Sequence, residues 1–232
     1  MAVREVVPGL YQLSLGIVNA FLIQEDSSLT LIDTGTPGSL GRISRALASL
    51  GHELGDLDSI VLTHCHADHA GSVAALQQET GATTFMHAVD AALTQEGRAA
   101  RAMSPAPGLW RSMVTRFLVR GMPQEIEPAD IDEELDDGQI LDVGSGLEVI
   151  HAPGHSAGHV ALLWHKHDGV LIAADAAANL FGLGYAIVYE DLEEGRRSLV
   201  DLSMRSFETA VFGHGGPITR GAGERFRRRW GS

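Results

Sequence analysis

The sequence predicts a mixed α/β chain whose sheets are covered by helices on their outer faces. Three observations carry that expectation. Short β-rich runs alternate with helical patterns along the chain. Hydrophobic residues make up 44% of 232, enough for a large core without disulfides. Histidines and aspartates stand where β-rich runs end, and a strand that ends in a loop delivers side chains to one edge of a sheet.

Taken in order, AFLIQ (20–24) and LTLIDT (29–34) read as hairpin strands around the turn EDSS. GSLGRISRALASLG is helical, with Ser39 as a cap and Gly51 as a stop. SIVLT (59–63) is a buried strand, GSVAALQQETG (71–81) a helix and TTFMH (83–87) a further strand. AVDAALTQEGRAARAM is helical, SPAPG breaks it, and LWRSMVTRFLV is helical again, so a helical insertion is expected at about 88–125. Its apolar residues Leu109, Trp110, Met113, Phe117 and Leu118 either cover the sheet or wall a substrate pocket. EELDDGQILDVG reads as a hairpin, followed by strands LEVIHA (147–152), HVALLWH (159–165) and GVLIAAD (169–175). EEGRRSLVDLSMR is a helix, TAVFGH (209–214) a strand, and a closing helix starts near Gly221. A single domain over 1–232 is expected.

The net charge of −13 leaves RFRRRW (225–230) as the only basic patch, and it reads as the solvated end of the last helix, so no nucleic-acid partner is expected. MAVREVVPGLYQLSL lacks the basic and apolar regions of a signal peptide. The longest apolar stretches are broken by Asp175 and Asn179, so no membrane span is expected. The lone Cys65 excludes an internal disulfide framework, which fits a cytoplasmic location. The expected partner is a small-molecule substrate, with a homodimer left open.

LTHCHADHAG (62–71) concentrates ligand-type residues. His64 and His66 are two apart and point the same way from an extended backbone. Asp68 and His69 follow where the chain turns, and address a neighbouring position. One loop can therefore supply two adjacent metals, with imidazole suited to zinc or iron and the carboxylate adding charge. Cys65 points away from its neighbours and reads as a small buried filler. Three more strand ends carry ligand types. His155 follows a Pro-Gly turn, Asp175 ends the apolar run LIAAD, and His214 lies between glycines. An unpaired carboxylate at the end of such an apolar run would be costly. Together these three look like the rest of a coordination shell.

THCHADHAG resembles the H-x-H-x-D-H signature of the metallo-β-lactamase-fold hydrolases, and PGHSAGH, AAD and FGHG resemble that superfamily's later metal motifs in the same order. The resemblance runs from NAFLI and LIDTG to GHGGPI. It implies a four-layer αββα sandwich, two sheets face to face with helices outside. It also implies two divalent metal ions, zinc first, with iron or manganese as alternatives. His64, His66 and His155 would hold one, Asp68, His69 and His214 the other, and Asp175 would bridge them. A metal-bridging hydroxide would be the nucleophile, with Asp68 as a proton shuttle. Asp33, in LIDTG, resembles a residue that steadies the metal loop; its other reading is a turn cap. His87, His151 and His159 stand near the expected edge, as supports or as ordinary polar residues. His52, His165 and His167 read as solvated. Tyr185 and Tyr189 either hydrogen-bond a substrate carbonyl or simply pack.

A chain ending at Ser232 is not expected to carry the glutathione-binding region of glyoxalase II, the extra domain of RNA-processing members, or a flavodoxin domain. The expected activity is hydrolysis of a small ester, lactone, thioester or amide, an acyl-homoserine lactonase being one version. The alternatives are a β-lactamase, and a persulfide dioxygenase with one iron on His64, His155 and Asp175. A non-catalytic metal-binding protein is the third class.

Overall fold

The computed structural model describes residues 2–25, 28–108, 121–143 and 146–231. Its first sheet places β1 (Val3–Val7), β2 (Leu10–Ser14), β3 (Asn19–Glu25), β4 (Ser28–Ile32), β5 (Ser59–Val61), β6 (Thr83–His87) and β8 (Glu133–Leu135) side by side in that order. The second sheet runs β14 (Thr209–Phe212), β12 (Val170–Ala174), β11 (Val160–Trp164), β10 (Leu147–His151) and β9 (Ile140–Leu141). A short pair joins β7 (Ser104–Pro105) to β13 (Val188–Tyr189). The helices among the described residues are α1 (Leu40–Ser49), α2 (Val73–Thr80), α3 (Ala88–Gln95), α4 (Leu192–Ser203) and α5 (Ala222–Trp230).

Alternating side chains sort the core into layers, because successive residues of a strand face opposite sides. In β3, Ala20 and Leu22 face one layer while Phe21 and Ile23 face the next. β5 repeats this with Ile60 against Val61. In β11, Ala161 and Leu163 look outward, and Val160, Leu162 and Trp164 look inward. One apolar layer thus lies between the first sheet and α1 and α2, with Ile43, Leu47 and Leu76. A second fills the space between the sheets. A third lies between the second sheet and α4 and α5, with Leu199, Leu202, Phe226 and Trp230. This is the expected αββα order. The arginines of RFRRRW are exposed while Phe226 and Trp230 are buried, so that helix is amphipathic. No helix among the described residues is long and apolar enough to cross a membrane.

Three expectations need correction, and one element was not foreseen. The N-terminal residues form a hairpin of β1 and β2, turned at Pro8-Gly9, that the periodicity did not announce. EELDDGQILDVG is not a hairpin: β8 pairs with β6 and β9 with β10, so the Asp136-Asp137-Gly138 turn carries the chain from one sheet to the other. Leu135 and Leu141 both enter the inter-sheet core, and crossing buries both. The helix expected to run from 88 past Glu96 stops at Gln95, because Gly97 turns left-handed at φ 73° and Arg98 pairs with Glu125. Ser39 occupies the cap position of α1 without a side-chain cap bond; its amide donates to Ser72 Oγ. The helix expected over 109–119, with Leu109, Trp110, Met113, Phe117 and Leu118, lies outside the described residues.

The topology then assembles one edge. β4, β5 and β6 are parallel, so Asp33, the His64–His69 loop and the start of α3 emerge together. β12 and β14 are parallel and β10 is antiparallel to the strand between it and β12, so the loop bearing His155, Asp175 and His214 also share an edge. The two edges are stitched by Val160 N–H to Thr63 O at 2.9 Å and Asn19 N–H to Gly213 O at 2.8 Å.

Candidate metal centre

The loop after β5 turns at His66, whose carbonyl accepts from the amides of His69 and Ala70, both at 2.8 Å. That turn brings His69 round beside His64, with ring centroids 4.1 Å apart. Asp33 anchors it from behind at φ 62°. Its Oδ1 accepts from Thr63 N at 2.9 Å and its Oδ2 from His69 Nδ1 at 2.8 Å. His69 Nε2 is thereby aimed inward, 3.6 Å from Asp175 Oδ1.

The other side chains arrive from separate strand ends. His155 Nδ1 donates to Val188 O at 2.9 Å, and its Nε2 lies 2.9 Å from His66 Nδ1 and 3.5 Å from Asp175 Oδ2. Asp175 follows a bulge in β12 at which Ala174 adopts φ 43°. Such a conformation costs about 1–3 kcal/mol. Burial of one neighbour such as Ile172, roughly 1.5–3 kcal/mol, is enough to offset it. His214 Nδ1 donates to Ile17 O at 2.8 Å, leaving Nε2 3.3 Å from Asp68 Oδ2 and 3.2 Å from Asp175 Oδ2. Gly213 is required here: a Cβ on it would lie 2.2 Å from Asp175 Oδ1 and 2.6 Å from His69 Cε1.

The structure therefore brings together all seven side chains proposed as ligands. His64, His66 and His155 form one group, and Asp68, His69 and His214 another; a third, His64, His69 and Asp175, spans them, and ligand atoms within each group lie within 4.8 Å of one another. Buried polar atoms normally find partners, yet His64 Nε2, His69 Nε2 and Asp175 Oδ1 have no hydrogen bond. Nitrogen and carboxylate donors converging in this way suit zinc or iron. The residues present fit a metal centre, with Asp175 standing between the two triads.

The sequence signature of the metallo-beta-lactamase superfamily matches residues 13–214. The chain belongs to the metallo-β-lactamase superfamily. It is 28% identical to a probable metallo-hydrolase, YqjP, of Bacillus subtilis (strain 168), over 89% of this chain and 69% of that protein. It is 32% identical to a hydroxyacylglutathione hydrolase of Aeromonas salmonicida (strain A449), over 73% of this chain and 49% of the relative. Another Bacillus subtilis relative, the uncharacterized YobT, is 33% identical, with 68% of this chain matching 61% of its length. The chain thus spans between half and about two thirds of these relatives. Among solved structures, the subclass B3 metallo-beta-lactamase BJP-1 of Bradyrhizobium japonicum superposes with a TM-score of 0.73 at 19% identity, covering 100% of this chain and 91% of that one. That likeness speaks for the fold.

In this superfamily member, burial and charge divide the histidines into two sets. Burial, reinforced by neighbouring imidazoles, pushes His64 well down and His66 to about 3, and burial also lowers His155. These rings are neutral at neutral pH, the form that binds metal. For His69 burial pulls down, but Asp33, Asp175 and Asp68 outweigh it and raise it to about 9. His214 is likewise raised against burial by Asp175 and Asp68. Burial would raise Asp68 and Asp175, yet His69 and His214 hold both below the usual carboxylate range.

The remaining candidates divide as follows. His159 supports the centre: its Nε2 accepts from Asp175 N at 3.2 Å. His87 and His151 stack on each other, with ring centroids 4.2 Å apart. His165 and His167 are exposed, while His52 is half-buried beside Asp56. Cys65 packs in the apolar layer under α1 and α2. Tyr189 is buried, its hydroxyl donating to Ala176 O at 2.7 Å and accepting from Ala186 N at 3.1 Å. Tyr185 packs near Trp230 and Arg229. The Tyr189 ring stands edge-on to that of His155, with centroids 5.9 Å apart. Sequence reasoning missed Asp90, Arg101 and Glu190. Arg101 Nη1 reaches Asp90 Oδ1 at 2.8 Å and Glu190 Oε1 at 3.4 Å, and Glu190 accepts from Ala157 N at 2.9 Å. No local motif marks these three. A charged residue in the first turn of a helix, within an apolar pattern, was the one available signal.

Proposed function

We propose that this chain is a dinuclear metal-dependent hydrolase of a small ester, lactone, thioester or amide. Asp175 carries the reading, since its carboxylate stands within 3.6 Å of His69, His155 and His214, members of both triads. When bound, two divalent cations supply Lewis acidity, lowering the pKa of water and polarising an acyl oxygen. The chain's own groups do the rest. Val188 O, Asp33 and Ile17 O fix the tautomers of His155, His69 and His214, so that each free ring nitrogen faces inward. Asp68 is the candidate proton carrier by position: its Oδ2 lies 3.3 Å from His214 Nε2.

Apolar side chains at the rim favour a substrate with an acyl or aromatic portion. Ile17, whose carbonyl holds His214, is exposed. Leu180 and Phe181 are exposed just past Asn179, whose amide donates to His214 O at 3.1 Å. The metallo-hydrolase and hydroxyacylglutathione hydrolase relatives support hydrolysis. The acidic balance and the lone buried thiol support a small-molecule substrate and a cytoplasmic setting.

Elemental analysis, combined with a screen of lactones, thioesters, β-lactams and phosphodiesters, tests the proposal. Two metals per chain and turnover of an acyl substrate are expected. One iron per chain with oxygen consumption on a persulfide would replace the reading with a dioxygenase. Full metal occupancy with no turnover across the panel would refute hydrolysis.

A further inference from the structure

We propose that Asp90, with Arg101 as its counter-ion, is a positioning residue that sets the His64–His66–His155 half of the centre. The inference rests on the dinuclear reading above.

Asp90 lies in the first turn of α3 and is fully buried. Its Oδ2 accepts from Cys65 N at 3.2 Å and from Ser156 Oγ at 2.5 Å. Its Oδ1 accepts from Gly158 N at 3.1 Å and from Arg101 Nη1 at 2.8 Å. Cys65 is the residue between His64 and His66, and Ser156 is the residue after His155. One carboxylate therefore fixes the separation of the two loops that carry this triad. Among the described residues, none of the four hydrogen bonds to its carboxylate comes from the residues beside Asp68, His69 or His214.

The site is built for the carboxylate. A Cβ on Gly158 would lie 2.7 Å from Asp90 Cγ, so only glycine lets the loop approach. Arg101 also donates to Val89 O at 2.6 Å, which fixes the guanidinium against α3. Asp33 differs in reach. It bonds Thr63 and His69 within one loop, whereas Asp90 ties that loop to the one bearing His155.

Cobalt(II) titration of the metal-stripped protein, followed by visible absorption, tests the role. Wild-type protein is expected to take up two ions. Asp90→Asn should weaken one of the two by about 10–100-fold, the usual effect of removing a group that orients a ligand. The other should be unchanged. The affected site is assigned in two backgrounds. In His214→Ala protein, which keeps the His64–His66–His155 triad, Asp90→Asn should weaken the remaining cobalt. In His66→Ala protein it should not. Ser156→Ala removes one bond and keeps the ion pair, and should give a smaller shift at the same site; it decides the question if Asp90→Asn does not fold. Two cobalt ions in wild type with equal losses at both sites, or none, overturns the clamp alone. Fewer than two in wild type overturns the dinuclear reading and the clamp with it.

Discussion

Asp33 and Asp90 are both buried carboxylates behind the metal loops, yet they act over different distances. Asp33 follows β4 and holds the adjacent loop through Thr63 and His69. Asp90 sits in α3 and joins residues 65, 101, 156 and 158, up to 68 positions away. Asp33 faces an imidazole, which titrates; Asp90 faces a guanidinium, which does not. The difference separates two tasks. One carboxylate sets the tautomer of a single side chain, and the other sets the distance between two loops.

Several variants break or sharpen that contrast. The largest effect is expected where both halves meet. Asp175→Ala should lower metal affinity by more than about 100-fold, beyond the usual loss for a supporting group, and abolish activity; equilibrium dialysis with zinc reads the first. Gly213→Ala should approach it, since the new methyl would displace Asp175 Oδ1 from 2.2 Å away. A loss of zinc affinity without loss of fold is the expected pattern.

Arg101→Ala leaves the Asp90 carboxylate buried with three hydrogen bonds but no counter-charge. Chemical denaturation should show a loss of about 3 kcal/mol, the lower end for a broken buried pair, because the Arg101 side chain keeps 28% exposure. No such loss would mean that the loops hold Asp90 without its ion pair.

The pH dependence of the metal-stripped protein separates the two carboxylates further. His69 is raised to about 9 in the folded chain. Its stabilising contribution is fully present below the unfolded value of about 6.5 and is lost as pH rises through about 9. Thermal midpoints should therefore fall across that window. Asp33→Asn should remove the part of the fall that His69 contributes, leaving the part from His214, and Asp90→Asn should leave both. The smallest effect is reserved for Cys65→Ala, which should cost about 1 kcal/mol and leave zinc stoichiometry intact, because the thiol is core filling.

The same contrast explains what the sequence disclosed. His64, His66, Asp68 and His69 were legible because four ligand types crowd one short loop. His155, Asp175 and His214 were legible because each follows a strand in the next loop, and parallel pairing brings Asp175 and His214 to one edge. Asp90 was not, because its partners come from segments that only the fold juxtaposes. The left-handed Ala174 was hidden for a similar reason: nothing in LIAAD marks a bulge, and only the ladder between β12 and β14 shows it. Asp136-Asp137-Gly138 misled because a turn has the same chemistry whether the chain folds back or crosses to the other sheet. The helix in α3 was foreseen but overrun, since Gly97 stops it and pairing with Glu125 takes the chain elsewhere.

Anomalous scattering from crystals of zinc-loaded protein tests the centre most directly. Two peaks flanking the Asp175 carboxylate are predicted, one beside His64, His66 and His155 and one beside Asp68, His69 and His214. A single peak at full occupancy, or peaks away from Asp175, would contradict the account.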